Sequence, residues 1–174
     1  MISAASAEVT QIPERIALTI GVVAFVAFMF ILMRRGWLRK ISTQSTIVPP
    51  HVVPADYEVT TEIEGRYLAS TLASDWLNRI AVYGLGLPSR GAIRIGSTGL
   101  VLSRTGSDDI YIPKADVIRI RADRAIAGRA FEKDGIAVIT WKLGDTFIDS
   151  GFRADTTEQH IELLSIEVTQ ESAK

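Results

Sequence analysis

An uninterrupted apolar run near the N-terminus constrains this chain more than any other feature. Residues 16–33 read IALTIGVVAFVAFMFILM, without a charge and with Thr19 as the one polar side chain. In a helix the run extends about 27 Å, close to the ~30 Å hydrocarbon core of a bilayer. A helix in a soluble core normally keeps a polar face, and this run is apolar all round. We therefore predict one transmembrane helix over residues 16–33.

The residues around the run predict that it stays attached and which way it points. A cleaved signal peptide needs a basic leader and a small-residue cleavage site, and the sequence has neither. One cation, Arg15, precedes the run, and four follow it within a few turns: Arg34, Arg35, Arg39 and Lys40. Trp37, among them, suits headgroup depth. By the positive-inside rule, residues 1–15 form a short extracytoplasmic tail of a single-pass plasma (inner) membrane protein, and the C-terminal domain is cytoplasmic.

Residues 34–54 are predicted to be a basic juxtamembrane segment followed by a linker. The stretch 41–54, ISTQSTIVPPHVVP, contains three prolines, which fix φ and lack a backbone donor. We expect an extended linker that holds the domain a short distance from the bilayer. His51, beside the Pro-Pro pair, is interpreted as a solvated side chain.

Residues 55–174 change to the alternating pattern of half-buried antiparallel strands. In residues 57–68 the alternation places Tyr57, Val59, Thr61 and Ile63 on one face. Further strands are predicted, between glycine-bearing turns, at residues 92–95, 99–104, 109–113, 117–121, 136–143 and 146–152. Residues 69–87 fit either a short helix leading into a strand or strand throughout.

The end of the chain returns to helical periodicity. Asp155 is predicted to be the N-cap, since Glu158 follows three residues later. Four side chains are expected on the apolar face of this C-terminal helix: Ile161, Leu164, Ile166 and Val168.

The tests for catalytic and metal chemistry favour a non-enzymatic chain. No serine lies in a G-x-S-x-G elbow, no glycine-rich stretch carries the Lys-Ser/Thr of a phosphate loop, and there are no cysteines. His160 lacks a second histidine at helical spacing, so no zinc site is predicted. Two acidic groups, Asp108 with Asp109 and Asp123 with Glu132 and Asp134, lack the spacing of a calcium loop and are read as solvated turn residues. No cofactor is expected.

The order of strands and helix resembles a known family. Residues 93–104 form a strand and a glycine-hydrophobic hairpin, and Ile112-Pro113 makes an Ile-Pro step from residues 110–113 into residues 117–120. These segments resemble bacterial PH-like domains, and the whole chain resembles small single-pass PH-like membrane proteins of actinobacteria. The resemblance implies a mainly β fold: a bent antiparallel sheet or partial barrel of six or seven strands, with a C-terminal helix plugging one end.

The same resemblance implies an interaction module whose partner stays open. Residues 55–174 carry 14 Lys and Arg against 18 Asp and Glu, which argues against a nucleic-acid partner. The densest basic stretch contains Arg119, Arg121, Arg124 and Arg129, with Lys133 nearby, and Arg119 and Arg121 are expected on one face of a strand. This stretch is either a partner-binding or lipid-binding face or a charge-balanced solvent face, because acidic residues are interleaved. We predict docking of a protein partner, with anionic-lipid binding through Arg119, Arg121 and Arg124 as the alternative.

Overall fold

A computed structural model describes residues 12–44 and 47–166. The chain divides into two compact units, Met1–Ser42 and Thr43–Lys174. Helix α1, Ile12–Thr43, accounts for the described residues of the first unit and ends one residue beyond it. Pro13 lies in its first turn, where a missing backbone N–H breaks no helical bond. The helix runs beyond the predicted residues 16–33 because residues 34–43 contain no proline and a single glycine, Gly36.

Helix α1 is long and apolar enough, over Arg15–Arg39, to cross a membrane. None of its most apolar stretch is buried. A core helix of a soluble protein would bury this surface, because exposed apolar area costs roughly 25 cal/mol per Å² in water. The exposure therefore argues against a core helix.

The second unit contains ten strands and one α-helix among the residues that the structure describes. Its elements are β1 Thr61–Leu72, β2 Asp75–Arg79, β3 Ser89–Ile95, β4 Gly99–Arg104, β5 Ile110–Pro113, β6 Val117–Asp123, β7 Ala125–Ile126, β8 Arg129–Ala130, β9 Ile136–Leu143, β10 Thr146–Ala154 and α2 Thr157–Leu164. A 3-10 turn, Lys114–Asp116, joins β5 to β6.

Eight of the strands form one antiparallel sheet that wraps around the main core. The spatial order is β5-β4-β3-β1-β10-β9-β6, with β2 paired to β1, and β7 and β8 form a separate hairpin. Trp141, Tyr67 and Phe152 are the largest side chains in the core, and α2 contributes Leu163 to it. The predicted antiparallel sheet with a C-terminal helix is confirmed. The domain contains more than the six or seven strands expected, because β2 at the edge of the sheet and the separate β7–β8 hairpin carry too little alternation to be recognised.

Residues 69–87, which fitted helix or strand equally well, are extended in their first half. Strand β1 continues to Leu72, and β2 folds back on it with Thr71 opposite Arg79. At the other end of β1, the predicted start at residue 57 is wrong. The backbone turns from Pro54 to Tyr57, the Tyr57 hydroxyl lies 2.9 Å from the Arg94 carbonyl oxygen, and Val59 is exposed.

Helix α2 is capped one residue later than predicted. The Oγ1 atom of Thr156, and not the Asp155 carboxylate, accepts the hydrogen bond from the Gln159 backbone N–H, at 3.2 Å. Asp155 pairs with Arg90 instead, at 2.8 Å. The apolar face is also rotated: Leu163 is fully buried, Leu164 and Ile166 pack at the margin of the core, and Ile161 is exposed. Val168 lies outside the described residues.

The segment predicted to be an extended linker packs on the domain. Ile47 is buried in the main core. The Gln44 side chain accepts a hydrogen bond from the Ala81 backbone N–H at 2.6 Å and donates to the Arg79 carbonyl oxygen at 3.2 Å. Further along, the Tyr111 N–H donates to the His51 carbonyl, so this segment covers the outer edge of β5. Gln44, the residue that directly follows α1, is therefore already part of the packed domain.

Candidate functional site

Two of the predicted surface arginines lie side by side on β6. The Arg119 Nε atom is 3.3 Å from the Thr140 hydroxyl, and the Arg121 Nη1 atom is 2.8 Å from the same oxygen. A register shift at the start of β6 places one extra residue opposite β9. Both side chains point to the outer face of the sheet, as the alternation predicts.

Arg121 is engaged by carboxylates on this face. Its Nη2 atom lies 2.8 Å from Asp149 and its Nε atom 3.4 Å from Asp123. The Thr140 hydroxyl donates to the buried Asp149 carboxylate at 2.6 Å. Burial lowers the pKa of Arg121, but the hydrogen bond and charge of Asp149 and the charge of Asp123 outweigh it and leave the pKa raised. This guanidinium neutralises a buried carboxylate and has less capacity left for an external anion.

The other two predicted arginines belong to the β7–β8 hairpin. Ala127 and Gly128 form its two-residue turn with φ of 54° and 75°, the geometry of a type I′ turn. Arg124 precedes the hairpin and Arg129 follows the turn, and both are exposed. Within residues 12–44 and 47–166, neither guanidinium forms an ion pair. The ion pairs near the hairpin are made by Arg121 and Arg153 instead. Lys133, also exposed, follows three residues after the hairpin.

The hairpin is held flat against the outer face of the sheet by a small second core. Ile126 packs there with Leu68, Ile136 and Val138. Gly151 on β10 makes this approach possible, because a Cβ atom at that position would lie 2.8 Å from Ile126. The hairpin also joins β2, since the Ala127 backbone N–H donates to the Trp76 carbonyl at 2.9 Å.

Strand β2 carries two exposed apolar side chains that sequence reasoning did not single out. Trp76 is 50% exposed and Leu77 is 59% exposed. Leu77 lies beside the hairpin turn, with its Cδ2 atom 3.8 Å from where a Gly128 side chain would begin. Adjacent strand residues point to opposite faces, so an exposed pair marks a strand that stands clear of the core on both sides. A short segment flanked by Asp75 and Asn78 carries no such signal in the sequence.

A chain of buried hydroxyl groups lies on the opposite, inner face of β10. The Trp141 Nε1 group lies 2.9 Å from Ser150 Oγ, which is 2.6 Å from Ser70 Oγ. Ser70 Oγ is 2.7 Å from the Tyr67 hydroxyl, which donates to the Leu85 carbonyl at 2.6 Å. Because an indole N–H only donates and a carbonyl only accepts, each hydroxyl in between donates toward Leu85. Every one of these side chains is buried, which gives the chain a structural role.

The remaining predicted groups are dispersed over the domain and α1. His51 Nε2 lies 3.8 Å from Asp116, and the described residues contain no cluster of three or more potential metal ligands. Asp109 accepts a hydrogen bond from the Arg104 backbone N–H, whereas Glu132 pairs with Arg153. The predicted topology residues all lie in the second half of α1: Arg34, Arg35, Trp37, Arg39 and Lys40. Trp37 is exposed there.

Comparison with known protein families decides the classification of the domain. Residues 46–167 match the family described as bacterial PH domain-like, which is more than two thirds of the chain. The chain belongs to this family. The matched residues of the PH-like domain begin two residues after Gln44 and include every strand and α2. No curated protein matches the chain closely enough to serve as a relative. The suspected resemblance is confirmed, and PH-like domains are in general protein-binding or lipid-binding modules without catalytic activity.

Proposed function

We propose that this protein is a non-enzymatic, single-pass protein of the plasma (inner) membrane whose cytoplasmic PH-like domain docks a protein partner. The observation that carries the proposal is the direct succession of two units: an apolar helix with exposed side chains, then a domain of an interaction family. A membrane anchor raises the effective concentration of the domain for any partner in the same membrane, without additional contacts.

The cations that follow the apolar run support the proposed orientation. Arg34, Arg35, Arg39 and Lys40 lie on the C-terminal side of the run, and Arg15 alone precedes it within α1. This bias retains the C-terminal side in the cytoplasm.

The alternative is direct recognition of anionic lipid by the face of Arg119, Arg121 and Arg124. The geometry favours the protein partner, because Arg121 is already paired with Asp149 and Asp123 and the domain carries a net negative charge. Each phosphate contact requires a cation that is free to leave its present partner.

Cysteine accessibility in intact cells tests the anchor and its orientation, because the natural chain contains no cysteine. We expect Ser3→Cys to react with a membrane-impermeant maleimide and Ser97→Cys, in the exposed turn before β4, to react after lysis only. Membrane fractions should retain the protein after alkaline carbonate washing. Recovery in the soluble fraction, or labelling of Ser97→Cys in intact cells, contradicts the proposal.

Photo-crosslinking of the full chain in native membranes tests the class of partner. A photoreactive residue at an exposed domain position, such as Tyr83, should give a discrete crosslinked protein that an equivalent probe within α1, at Phe28, does not give. Crosslinks to lipid alone at Tyr83, lost in high salt, support the lipid alternative and contradict the protein partner.

A further inference from the structure

The first domain residue after α1 packs close to the exposed apolar pair on β2. Gln44 is the residue that follows α1, and it bonds to Arg79 and Ala81 at the end of β2. Its Nε2 atom is also 3.5 Å from the Asn78 side chain. Leu77 and Trp76 are the next two residues along that strand. Because one peptide unit separates Thr43 from Gln44, this side of the domain is covalently held near the C-terminal end of α1.

The length of α1 beyond the apolar run limits how far this point lies from the bilayer. Ten residues, 34–43, follow the run within the helix and extend about 15 Å at 1.5 Å per residue. The headgroup region of one leaflet occupies about 5–8 Å of that length. The remaining distance is comparable to the ~8 Å Debye length at physiological ionic strength, so charges on this side of the domain respond to the surface potential of anionic lipid.

The chemistry of this side matches a membrane interface. A tryptophan and a leucine protrude from a strand that leaves the core, and tryptophan prefers headgroup depth, where its ring is in an apolar layer and its N–H in a wet one. Arg129 follows the hairpin turn beside Leu77 and forms no ion pair within the described part of the chain. Asp75, the one acid on β2, turns its carboxylate back to the Leu77 backbone N–H at 3.0 Å.

From these observations we infer that Trp76 and Leu77 of β2, assisted by Arg129, form a second membrane contact, which inserts into the headgroup layer of the bilayer that holds α1. The ligand is the interface of an anionic phospholipid bilayer, and the contact is distinct from the Arg119 and Arg121 face of β6. It fixes one side of the PH-like domain on the membrane and leaves the others open to a partner. The inference rests on the anchoring part of the proposed function, and on no property of the protein partner.

Site-directed fluorescence in the full-length protein tests this contact. Leu77→Cys and, as a matched control, Ile161→Cys are each labelled with an environment-sensitive fluorophore and reconstituted into phosphatidylcholine/phosphatidylglycerol vesicles. The two side chains are 59% and 61% exposed. The start of β10 lies beside the β1–β2 turn, because the Phe147 carbonyl accepts a hydrogen bond from Ala73. Ile161 lies on α2, which follows the other end of β10. We expect blue-shifted emission at residue 77, quenched by lipids with a nitroxide near the headgroup, and neither effect at residue 161.

A charge variant and the lipid composition refine the same measurement. Arg129→Gln in the Leu77→Cys background should reduce the quenching in anionic vesicles, and so should added salt. Arg90→Gln, an exposed arginine on β3 that pairs with Asp155 beside the start of α2, is the control that leaves quenching unchanged.

The outcomes separate the possible failures. Absence of quenching at residue 77 in vesicles, or equal quenching at residue 161, overturns the inference. A label at residue 77 that is shielded in native membranes but not in pure lipid also overturns it, in favour of a protein on this surface. Failure of the protein to float with vesicles after carbonate washing refutes the anchor itself, and with it both proposals.

Discussion

Asp149 is the central acceptor of the polar contacts on the outer face of the sheet. It is buried on β10, accepts from Thr140 and pairs with Arg121. A carboxylate in this position is stable because its charge is compensated and its lone pairs are used. The arginines of the sequence RIRADRAIAGR therefore divide into one that stabilises the fold and others that remain available at the surface.

Asp149→Ala is expected to destabilise the full-length protein by about 2–4 kcal/mol, since it leaves Arg121 and the Thr140 hydroxyl without their acceptor. Arg119→Ala, which removes a hydrogen bond of 3.3 Å to the Thr140 hydroxyl, should change the free energy of unfolding by less than about 0.5 kcal/mol. Urea unfolding in detergent micelles, followed by near-ultraviolet circular dichroism, measures both. Equal effects of the two variants would contradict the assignment of Arg121 and Asp149 as the structural pair.

Tyr67 makes stability depend on alkaline pH. Burial, opposed by the Ser70 hydrogen bond and the nearby Arg104, raises the pKa of Tyr67 to about 12 from an ordinary 10.0. The unfolded chain therefore releases this proton first. The contribution of neutral, buried Tyr67 to the free energy of unfolding is complete below pH 10. It disappears as the pH rises to 12, a loss of about 3 kcal/mol.

Tyr67→Phe should lower stability at neutral pH, because Ser70 and the Leu85 carbonyl lose a partner, and should flatten the decline between pH 10 and 12. The measurement is the free energy of unfolding at several pH values in that window for both proteins. Tyr57, whose pKa is raised as well, is present in both and cancels in the difference. Identical slopes for the two proteins would show that Tyr67 does not carry the pH dependence.

At the scale of elements, two adjacent residues can each supply the N-cap of α2. Asp155 and Thr156 both carry oxygen acceptors suited to an N-cap. Arg90 on β3 draws the Asp155 carboxylate away, and the helix then begins at Thr157. The choice was made by a neighbour on another strand, which is why local sequence placed the cap one residue too early.

Thr156→Ala should cost about 1 kcal/mol through the loss of the cap, whereas Asp155→Ala, which breaks a solvent-screened ion pair, should have a smaller effect. Thermal unfolding of the two variants compares them directly. Hydrogen exchange at the Gln159 amide should increase in Thr156→Ala and stay unchanged in Asp155→Ala. The reverse order would restore Asp155 as the N-cap.

Elements with their own periodicity were predictable, and those defined by tertiary contacts were not. Strands β4 and β9 were placed at their observed ends because alternation and flanking glycines define them. The β7–β8 hairpin was missed because its turn is Ala127-Gly128 and its stability comes from Ile126 packing over Gly151, far along the chain. Of the candidate residues, the shared face of Arg119 and Arg121 followed from strand geometry. The exposure of Trp76 and Leu77 depends on β2 leaving the core, which no local pattern indicates.

At the scale of the whole molecule, the boundary of the domain lies earlier than composition suggests. A proline-rich stretch is usually a linker, and here Gln44 and Ile47 add hydrogen bonds and a buried side chain to the domain. The division between the two compact units at Ser42 and Thr43 agrees with these contacts.

A fragment of residues 43–174 should therefore be more stable than one of residues 55–174, by about 3 kcal/mol or more. The shorter fragment loses the burial of Ile47, worth roughly 1.5–3 kcal/mol, together with the hydrogen bonds of Gln44 and the pairing of His51 with Tyr111. Urea midpoints of the two fragments, with Ile47→Ala in the longer one as an intermediate case, provide the comparison. Equal midpoints would show that residues 43–54 act as a linker and do not stabilise the domain.

The proline-rich residues 49–54, which lie along the edge of β5, also affect how copies of this protein can associate. An anchored protein diffuses in two dimensions, where copies meet far more often than in solution, and an open strand edge would then be a template for polymerisation. The Tyr111 amide is already used by the His51 carbonyl, and Pro49, Pro50 and Pro54 have no amide hydrogen to offer a neighbouring copy. Residues 49–54 therefore protect the β5 edge of the sheet from pairing with a second copy of the chain.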